Sequence, residues 1–330
     1  MEAGALSNPV LRARRNLTDR IGDPLLRGLS GLAAALAVAV IVGIVYEVIH
    51  LAWPAIQRFG IGFLTTNDWN PNPLVQRFGA APFLYGTVVT SLIAILFAAP
   101  LSIAISIYLT ELAPERVRRP VATLVDMLAA IPTVILGLWG ILVLGPFMRD
   151  TIEPALNSVL GFVPIFGGDP SAFGYLTAAV ILTIMATPII TSVTREVFET
   201  VPGDLKEASY ALGATRWEMV RQVVLPYSRP GIVGATILGL GRAIGEAIAV
   251  AQVIGGAYLI NASLFHTGGT LAAQIASQFQ NSAGLQKASL AYLGLILLVF
   301  AVIVNVIARV IVQRGGIKDI DVTETEAAAL

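Results

Sequence analysis

The sequence contains long stretches without a charged side chain. One of them runs from Phe78 to Thr110 and consists mostly of apolar residues. A helix needs about 20 apolar residues to cross a bilayer, so this stretch is long enough to span a membrane with some tilt. Of the 330 residues, 56% are hydrophobic and 13% are charged, which is more apolar surface than one water-soluble core can bury. The chain is therefore predicted to be an integral membrane protein.

Six stretches are predicted to cross the membrane as helices, which makes the fold all-α. They lie at about 28–52, 83–109, 121–147, 172–193, 231–256 and 288–312. Pro100, Pro132 and Pro188 lie inside the second, third and fourth spans and are expected to kink or break these helices. Residues 257–286 carry no charge but are rich in Gly, Gln, Asn and Ser. This composition favours an outer loop, with or without a re-entrant part, over a seventh spanning helix.

The basic residues are unevenly distributed over the predicted loops. The side that carries both termini holds 16 Lys and Arg residues, and the other side holds 4. Because cytoplasmic loops carry the excess of Lys and Arg, the N and C termini are predicted to be cytoplasmic. Residues 1–27 then form a cytoplasmic basic N-terminal segment, 28–313 the transmembrane domain and 314–330 a polar tail. Asp126, near the start of the third span, is expected to reach toward the neighbouring basic loop.

The segment from Pro202 to Pro226 is polar and lies between two strongly apolar ones. Its pattern predicts two short helices. Gly213 is expected to end the first helix in the left-handed conformation that glycine tolerates. Thr215 and Glu218 have the spacing of a capping box, which predicts the start of the second helix. Pro226 is expected to stop that helix, so the segment should be a compact helical hairpin with an exposed apolar edge.

Several residues of this hairpin match a known motif at fixed spacing. They are Glu207, Ala208, Ser209, Gly213, Val223, Leu225 and Pro226. The pattern resembles the EAA loop in the membrane subunits of binding-protein-dependent ABC importers, which has Ala in place of Ser209 and Ile in place of Val223. In that family the loop docks into a groove of the ATPase subunit, so the resemblance implies a coupling loop at 202–226. The alternative is a capped cytosolic hairpin without a partner.

Two charged residues lie inside the fifth predicted span. Arg242 is 11 residues past Gly231, which is about 16 Å along a helix and near the middle of a bilayer about 30 Å thick. Glu246 follows one turn later. An Arg at this depth costs about 2.5 to 3.5 kcal/mol, so it is expected to face protein or a wet cavity. Gly241 and Gly245 are a pair of small residues that lets another helix come close. The alternative is an internal Arg242–Glu246 ion pair that locks helices together.

A wider resemblance covers roughly residues 60–313. It rests on NDWNP (67–71), FLYGTVVTSLIA (83–94), LTELAP (109–114), LAAIPTVILGLWG (128–140), EASYALGATRWEMV (207–220) and GRAIGEAIAV (241–250). These segments are similar to the C-type permease of phosphate ABC importers. The resemblance implies a MetI-like type I importer fold and places Arg242 and Glu246 in the path of phosphate. It also implies a bacterial inner membrane and three kinds of partner, namely a second homologous permease, two ATPase subunits and an extracytoplasmic phosphate-binding protein.

The composition excludes several other classes of function. The absence of cysteine excludes disulfides and thiolate metal sites, and 21 basic against 21 acidic residues provide no bulk charge for nucleic acid. None of the three lysines follows a glycine, so the chain lacks a GxxxxGK[ST] phosphate loop. The chain is therefore expected to be non-catalytic and to bind no cofactor itself, with ATP and Mg²⁺ on partner subunits. Two alternatives remain, a permease for another oxyanion such as sulfate and a stand-alone secondary transporter.

Overall fold

The computed structural model describes residues 17–72 and 74–315. Most of the predicted N-terminal segment 1–27 and most of the predicted tail 314–330 therefore lie outside the described residues. The chain divides into two compact units, one that ends at His50 and one that begins at Leu51.

Helices make up most of the described chain. Their bounds are α1 Leu17–Phe59, α2 Ala81–Ile107, α3 Glu115–Ala129, α4 Thr133–Trp139, α5 Gly145–Phe147, α6 Glu153–Leu160, α7 Tyr175–Glu199, α8 Gly203–Ala211, α9 Arg216–Met219, α10 Leu225–Gly245, α11 Ile248–Val253, α12 Leu271–Gln278 and α13 Gly284–Gly315. Wide π turns lie at Tyr108–Leu112, Gly140–Leu144, Met148–Ile152 and Val220–Val224, and 3-10 turns at Gly60–Leu64, Pro164–Phe166 and Phe279–Asn281. Strands β1 (Trp69–Asn70) and β2 (Arg77–Phe78) pair antiparallel.

In the described residues, the first unit is helical from Leu17 to its end at His50 and contains the first part of α1. Near the end of this unit, the rings of Tyr46 and His50 stack with their centroids 6.2 Å apart. One turn of helix separates the two residues, so the stack is local to α1.

The centre of the second unit is formed by α2, α7 and α10. Two serines one turn apart on α2 join this helix to α7, because Ser102 Oγ donates to the carbonyl of Thr187 at 2.9 Å and Ser106 Oγ donates to that of Thr191 at 3.0 Å. Both serines are fully buried. Small side chains allow the helix backbones to come close, and hydroxyl groups can cross-link helices where water is absent.

Six helical stretches of the described chain are long and apolar enough to cross a membrane. They are Leu25–Leu64, Ala81–Leu112, Thr133–Leu160, Tyr175–Glu199, Arg216–Gly245 and Gly284–Val310. The predicted number of spans therefore agrees with the structure, and four of the six stretches, the first, second, fourth and sixth, lie close to the expected positions. The third stretch begins 12 residues later than predicted, and the fifth begins 15 residues earlier.

The third span was predicted at 121–147, but the helix there ends at Ala129 and a new helix begins at Thr133. Pro132 is responsible, because it adopts an extended conformation (ψ 134°) before α4 and separates the two helices instead of kinking one. Helix α3 is thereby a separate element that packs against α7. Its Asp126 carboxylate lies 3.5 Å from the guanidinium of Arg195 on α7, so it forms a partly exposed ion pair rather than reaching toward the basic loop.

Residues 257–270 form an irregular segment that packs against the start of α7. The N–H groups of Tyr175 and Leu176 donate to the carbonyls of His266 and Leu264. The N–H of Leu271, the first residue of α12, donates to Thr87 Oγ1 on α2 at 3.0 Å, and Leu271 is fully buried. This segment and the hairpin after α7 lie at opposite ends of that helix, which has 25 residues and is about 37 Å long.

Gly86 of α2 lies where this segment crosses the helix. A Cβ at Gly86 would collide with the carbonyl oxygen of Gly269. We expect Gly86→Ala to lower the free energy of unfolding by about 3 kcal/mol, since neither backbone can move aside. In detergent, this loss corresponds to a thermal midpoint lower by about 5 to 10 °C, measured by intrinsic fluorescence. Gly234→Ala is the matched control, because a Cβ there would meet no atom within 4 Å. Equal midpoints for both variants would contradict the described packing.

Candidate functional site

The polar hairpin predicted from the sequence is present. Helix α8 ends at Ala211, and Gly213 adopts the left-handed conformation with φ +86°. The capping box is also confirmed: Thr215 Oγ1 accepts from the N–H of Glu218 at 3.3 Å, and Glu218 Oε2 accepts from the N–H of Thr215 at 2.8 Å. Sequence was sufficient here because every one of these interactions is made within four residues.

The hairpin has a buried base and an exposed edge. The base is a cluster of buried side chains from the end of α7 and just after it, from α9 and from the π turn that follows α9, namely Phe198, Val201, Met219, Val220 and Val224. Large apolar side chains remain exposed on the other side, with Leu212 at 90% and Trp217 at 64% exposure. Of the motif residues, Glu207, Ala208 and Gly213 are exposed, and Ser209, Leu225 and Pro226 are half-buried. The hairpin is therefore held firmly to the bundle and presents an apolar surface.

The prediction that Pro226 ends the second helix of the hairpin is wrong. Helical structure continues without interruption from Arg216 to Gly245, a stretch of 30 residues. The π turn Val220–Val224 explains this difference, because the N–H of Leu225 donates to the carbonyl of Val220, five residues earlier. The wider turn changes the local hydrogen-bond pattern just where Pro226 lacks an N–H. One helix of about 45 Å thus joins the hairpin to the region of Arg242.

An ion pair joins the hairpin to the end of α2. Lys206 Nζ on α8 lies 2.7 Å from Glu111 Oε1 in the π turn that follows α2. The Glu111 side chain is only 9% exposed, and that of Lys206 is 21% exposed. Sequence analysis missed this pair because 95 residues separate its members. The adjoining carbonyl of Thr110 accepts from Arg118 Nη2 at 2.7 Å, so this end of α2 is tied to both α8 and α3.

The fifth predicted span, 231–256, is broken within its polar part. Helix α10 ends at Gly245, Glu246 is extended with φ −71° and ψ 119°, and α11 begins at Ile248. The Glu246 side chain is buried, and its Oε1 accepts from the N–H of Ala249 at 3.3 Å. This bond satisfies one of the free N–H groups at the start of the new helix. Glu246 therefore helps to hold the break in addition to carrying a charge.

The structure brings Arg242 and Glu246 together, but not tightly. Arg242 Nη2 lies 4.0 Å from Glu246 Oε2, and the exposure of the side chains differs greatly, at 44% for Arg242 and 8% for Glu246. A distance of 4.0 Å is too long for a hydrogen bond. Part of the guanidinium therefore stays exposed. Its coplanar N–H groups can donate hydrogen bonds to an oxyanion there.

Within the unit that begins at Leu51, the described part of the chain packs no other helix against Gly241 or Gly245. A Cβ at either residue would meet no atom within 4 Å. The glycines of α10 that do make close contacts are Gly231 and Gly239, where a Cβ would press on Val197 and Ile190 of α7. The predicted contact at Gly241 and Gly245 therefore stays a prediction.

These features together define a class of protein. The fold is a bundle of membrane helices with a polar helical hairpin that continues into a helix broken at an Arg–Glu pair. The chain belongs to the family of binding-protein-dependent transport system inner membrane components, whose family model matches residues 102–315.

Two relatives give a more particular likeness. The phosphate transport system permease protein PstC of Mesorhizobium japonicum is 44% identical over 314 residues, which cover 93% of this chain and 95% of that protein. The protein of the same name from Pasteurella multocida is 41% identical over 302 residues, which cover 90% of this chain and 94% of that protein. The resemblance that the sequence motifs indicated is thereby confirmed.

A solved structure confirms the fold class. The chain is similar to one from a bacterial alginate ABC transporter, solved in complex with a periplasmic protein bound to an alginate pentasaccharide. The TM-score is 0.60 at 17% identity, and the match covers 90% of this chain and 97% of that chain. At this identity the likeness concerns the fold alone.

Proposed function

We propose that this chain is a membrane subunit of an ATP-driven phosphate importer and forms half of its translocation pathway. One observation carries the proposal, namely the uninterrupted helix from Arg216 to Gly245 that joins an exposed hairpin to the Arg242–Glu246 pair. Through such a helix, a displacement of the hairpin is transmitted to the charged site over about 45 Å. The similarity to two phosphate permeases supports phosphate as the substrate.

The proposed assembly contains a second homologous permease, two ATPase subunits and an extracytoplasmic phosphate-binding protein. The two permeases form a heterodimer in the bacterial inner membrane, and Gly241 and Gly245 lie where a helix of the second permease would approach. Both termini and the hairpin at 202–226 face the cytoplasm, which the excess of Lys and Arg on that side supports. ATP and Mg²⁺ bind to the ATPase subunits, and this chain has no catalytic role.

In the proposed mechanism, Arg242 binds the partly dehydrated anion transiently. Hydrogen bonds between a guanidinium and an oxyanion are charge-assisted and therefore compensate for part of the lost hydration. Glu246 limits the residence of the anion, because it competes for the same cation from 4.0 Å away. When the ATPases close on ATP, the hairpins move together, and the inner gate closes as the outer side opens.

The assembly itself provides the first test. We expect ATP-dependent uptake of radioactive phosphate into proteoliposomes that contain this chain, the second permease, the ATPase and the binding protein, and no uptake when any one of them is omitted. Competition by unlabelled sulfate or arsenate tests the choice of oxyanion. Uptake by this chain alone would instead support a stand-alone secondary transporter, and preferential uptake of sulfate would move the proposal to another oxyanion.

The hairpin is tested at Gly213. Its φ of +86° is strained for a β-branched residue, so we expect Gly213→Val to distort the turn and lower ATP-driven uptake by about fivefold, at a cost of about 2 kcal/mol to the hairpin. ATP hydrolysis measured in the same vesicles separates poor coupling from poor assembly. Gly203→Ala is the control, since its Cβ would meet no atom within 4 Å and its φ is not positive. Normal uptake by Gly213→Val would argue against a coupling role for the hairpin.

A further inference from the structure

A groove of about 660 Å³ lies between α7, α10 and α13. Two of its walls are apolar side chains of α7 and of the stretch Pro230–Leu238 of α10, and Asn305 and Arg309 of α13 complete the lining. A Cβ at Gly234 would meet no atom within 4 Å, so the groove is open along α10. We call this space the α13 groove. It ends one turn before Arg242 and is separate from the charged site.

A second hollow of about 280 Å³ lies along α13 itself. Its lining consists of three valines together with Asn305 and Arg309, so these two residues border both spaces. The Asn305 amide donates to the carbonyl of Ala301 on its own helix at 2.9 Å. Arg309 is therefore the one charged residue, among those described, at the junction of two apolar hollows.

Arg309 is exposed and forms no ion pair within the part of the chain that the structure describes. It lies one residue before the end of the apolar stretch Gly284–Val310. A long basic side chain at this depth buries its stem against apolar surface and extends its charged end to the level of the lipid headgroups. The guanidinium is thereby available to a negatively charged group at the membrane surface.

The course of α13 places Arg309 on the hairpin side of the membrane. Leu290 and Leu293, near the start of α13, pack in one cluster with Leu271, which lies at the end of the bundle opposite the hairpin. Since α13 runs away from that cluster, its last turns lie on the hairpin side. By the proposed function this side is cytoplasmic, and the cytoplasmic leaflet carries anionic lipids and a negative surface potential.

The shape and chemistry of the two hollows suit a phospholipid. Spaces of this size between membrane helices are filled, because proteins are close-packed, and apolar walls offer water too few hydrogen-bonding partners. Lipid tails are as apolar as the side chains of the walls. A phospholipid carries two acyl chains on one phosphate, which matches two apolar hollows that meet at one guanidinium. Arginine binds phosphate oxygens through paired, charge-assisted hydrogen bonds.

We propose that the α13 groove is a binding site for one anionic phospholipid, whose phosphate is bound by Arg309 and whose acyl chains lie in the two hollows. The assignment to the cytoplasmic leaflet rests on the proposed function. Because the groove borders α10, the bound lipid packs beside the helix that joins the hairpin to Arg242.

The test measures lipid binding by the full complex in detergent. Phosphatidylglycerol and phosphatidylcholine with identical acyl chains are added separately, so that only the charge of the headgroup differs. We expect phosphatidylglycerol to raise the thermal midpoint of the wild-type complex by about 3 °C more than phosphatidylcholine does. Arg309→Gln loses the charge-assisted bonds to phosphate, so it should bind phosphatidylglycerol about tenfold more weakly and lose most of this difference.

Three further variants make the result specific. Arg309→Lys keeps the charge without the planar fork and should show an intermediate difference. Arg119→Gln is the matched control, because Arg119 is exposed on α3 and lines neither hollow, and it should keep the full difference. Asn305→Trp leaves Arg309 in place but fills the junction of the hollows, so it should lose the difference. If Arg309→Gln fails to assemble, Asn305→Trp carries the same expectation.

A fluorescence measurement identifies what occupies the groove. The chain contains no cysteine, so a fluorophore can be attached to Asn305→Cys in a complex whose partner subunits carry no reactive cysteine. Brominated acyl chains quench a fluorophore that they touch. In nanodiscs we expect strong quenching by brominated phosphatidylglycerol and weaker quenching by brominated phosphatidylcholine. If neither lipid quenches, another helix of the complex covers the groove, and the proposal is wrong.

The outcomes separate this inference from the proposed function. Equal midpoints of the wild-type complex with both lipids would overturn the lipid site, as would an assembled Arg309→Gln variant that keeps the wild-type difference. Neither lipid measurement depends on transport. A wild-type complex that binds the lipid as expected but takes up no phosphate with ATP would instead overturn the proposed function alone.

Discussion

Replacing Arg242 by Gln is expected to abolish ATP-driven phosphate uptake while the complex still assembles. Arg242 lies near the end of α10, is 44% exposed and has no hydrogen bond to Glu246, so its removal leaves the packing of the bundle intact. The anion, in contrast, loses two charge-assisted hydrogen bonds from the guanidinium. Each is worth about 1.5–3 kcal/mol, which predicts a loss of at least about 100-fold in the rate of uptake.

Two variants make the test of Arg242 sharper. Arg242→Lys keeps the positive charge but loses the planar fork, so it should give an intermediate rate. Arg229→Gln is a matched control, because Arg229 is exposed and lies on the same helix. Uptake is measured per assembled complex, with ATP hydrolysis followed in parallel. If Arg242→Gln transports within twofold of wild type, the anion takes another path.

Reversing one charge of the Lys206–Glu111 pair is expected to disconnect the hairpin from α2. In Lys206→Glu, two carboxylates would face each other where the partners now lie 2.7 Å apart, and Glu111 is nearly buried. Like charges at this distance repel strongly in a partly buried site. We expect uptake per complex to fall by about tenfold or more, with less effect on ATP hydrolysis, because the hairpin would move without pulling on α2.

The reciprocal exchange distinguishes a specific pair from a general effect of charge. The double variant Lys206→Glu with Glu111→Lys restores opposite charges and should recover uptake to within about threefold of wild type. Arg116→Glu serves as a control for charge reversal on the same face, since Arg116 is exposed in the neighbouring helix α3. Failure of the double variant to recover, when both single variants assemble, would remove the pair from the coupling path.

Several features could be predicted from the sequence because the interactions behind them are local. The left-handed Gly213 and the capping box of Thr215 and Glu218 depend on contacts within four residues. The number of spans depends only on the length and polarity of each stretch. The position of Arg242 beside Glu246 follows from a spacing of four residues on a helix, and the structure contains this pair.

Other features were missed because they depend on residues far apart in sequence or on how the backbone responds to proline. Pro132 separates two helices where a kink was expected, while Pro226 is accommodated by a π turn where a helix end was expected. Each proline lacks a backbone N–H. The hydrogen bonds of the neighbouring residues then decide whether the helix is interrupted, as at Pro132, or continues, as at Pro226.

By itself, the sequence determined that this protein is a six-span membrane protein with a capped polar hairpin and a charged pair in its fifth span. Hydropathy, periodicity and capping act over one or two turns, so they can be read along the chain. Only the tertiary structure decided that Gly239, rather than Gly241 or Gly245, packs against α7, and that Lys206 meets Glu111. These arrangements depend on which faces of distant helices meet, and helix packing settles that in three dimensions.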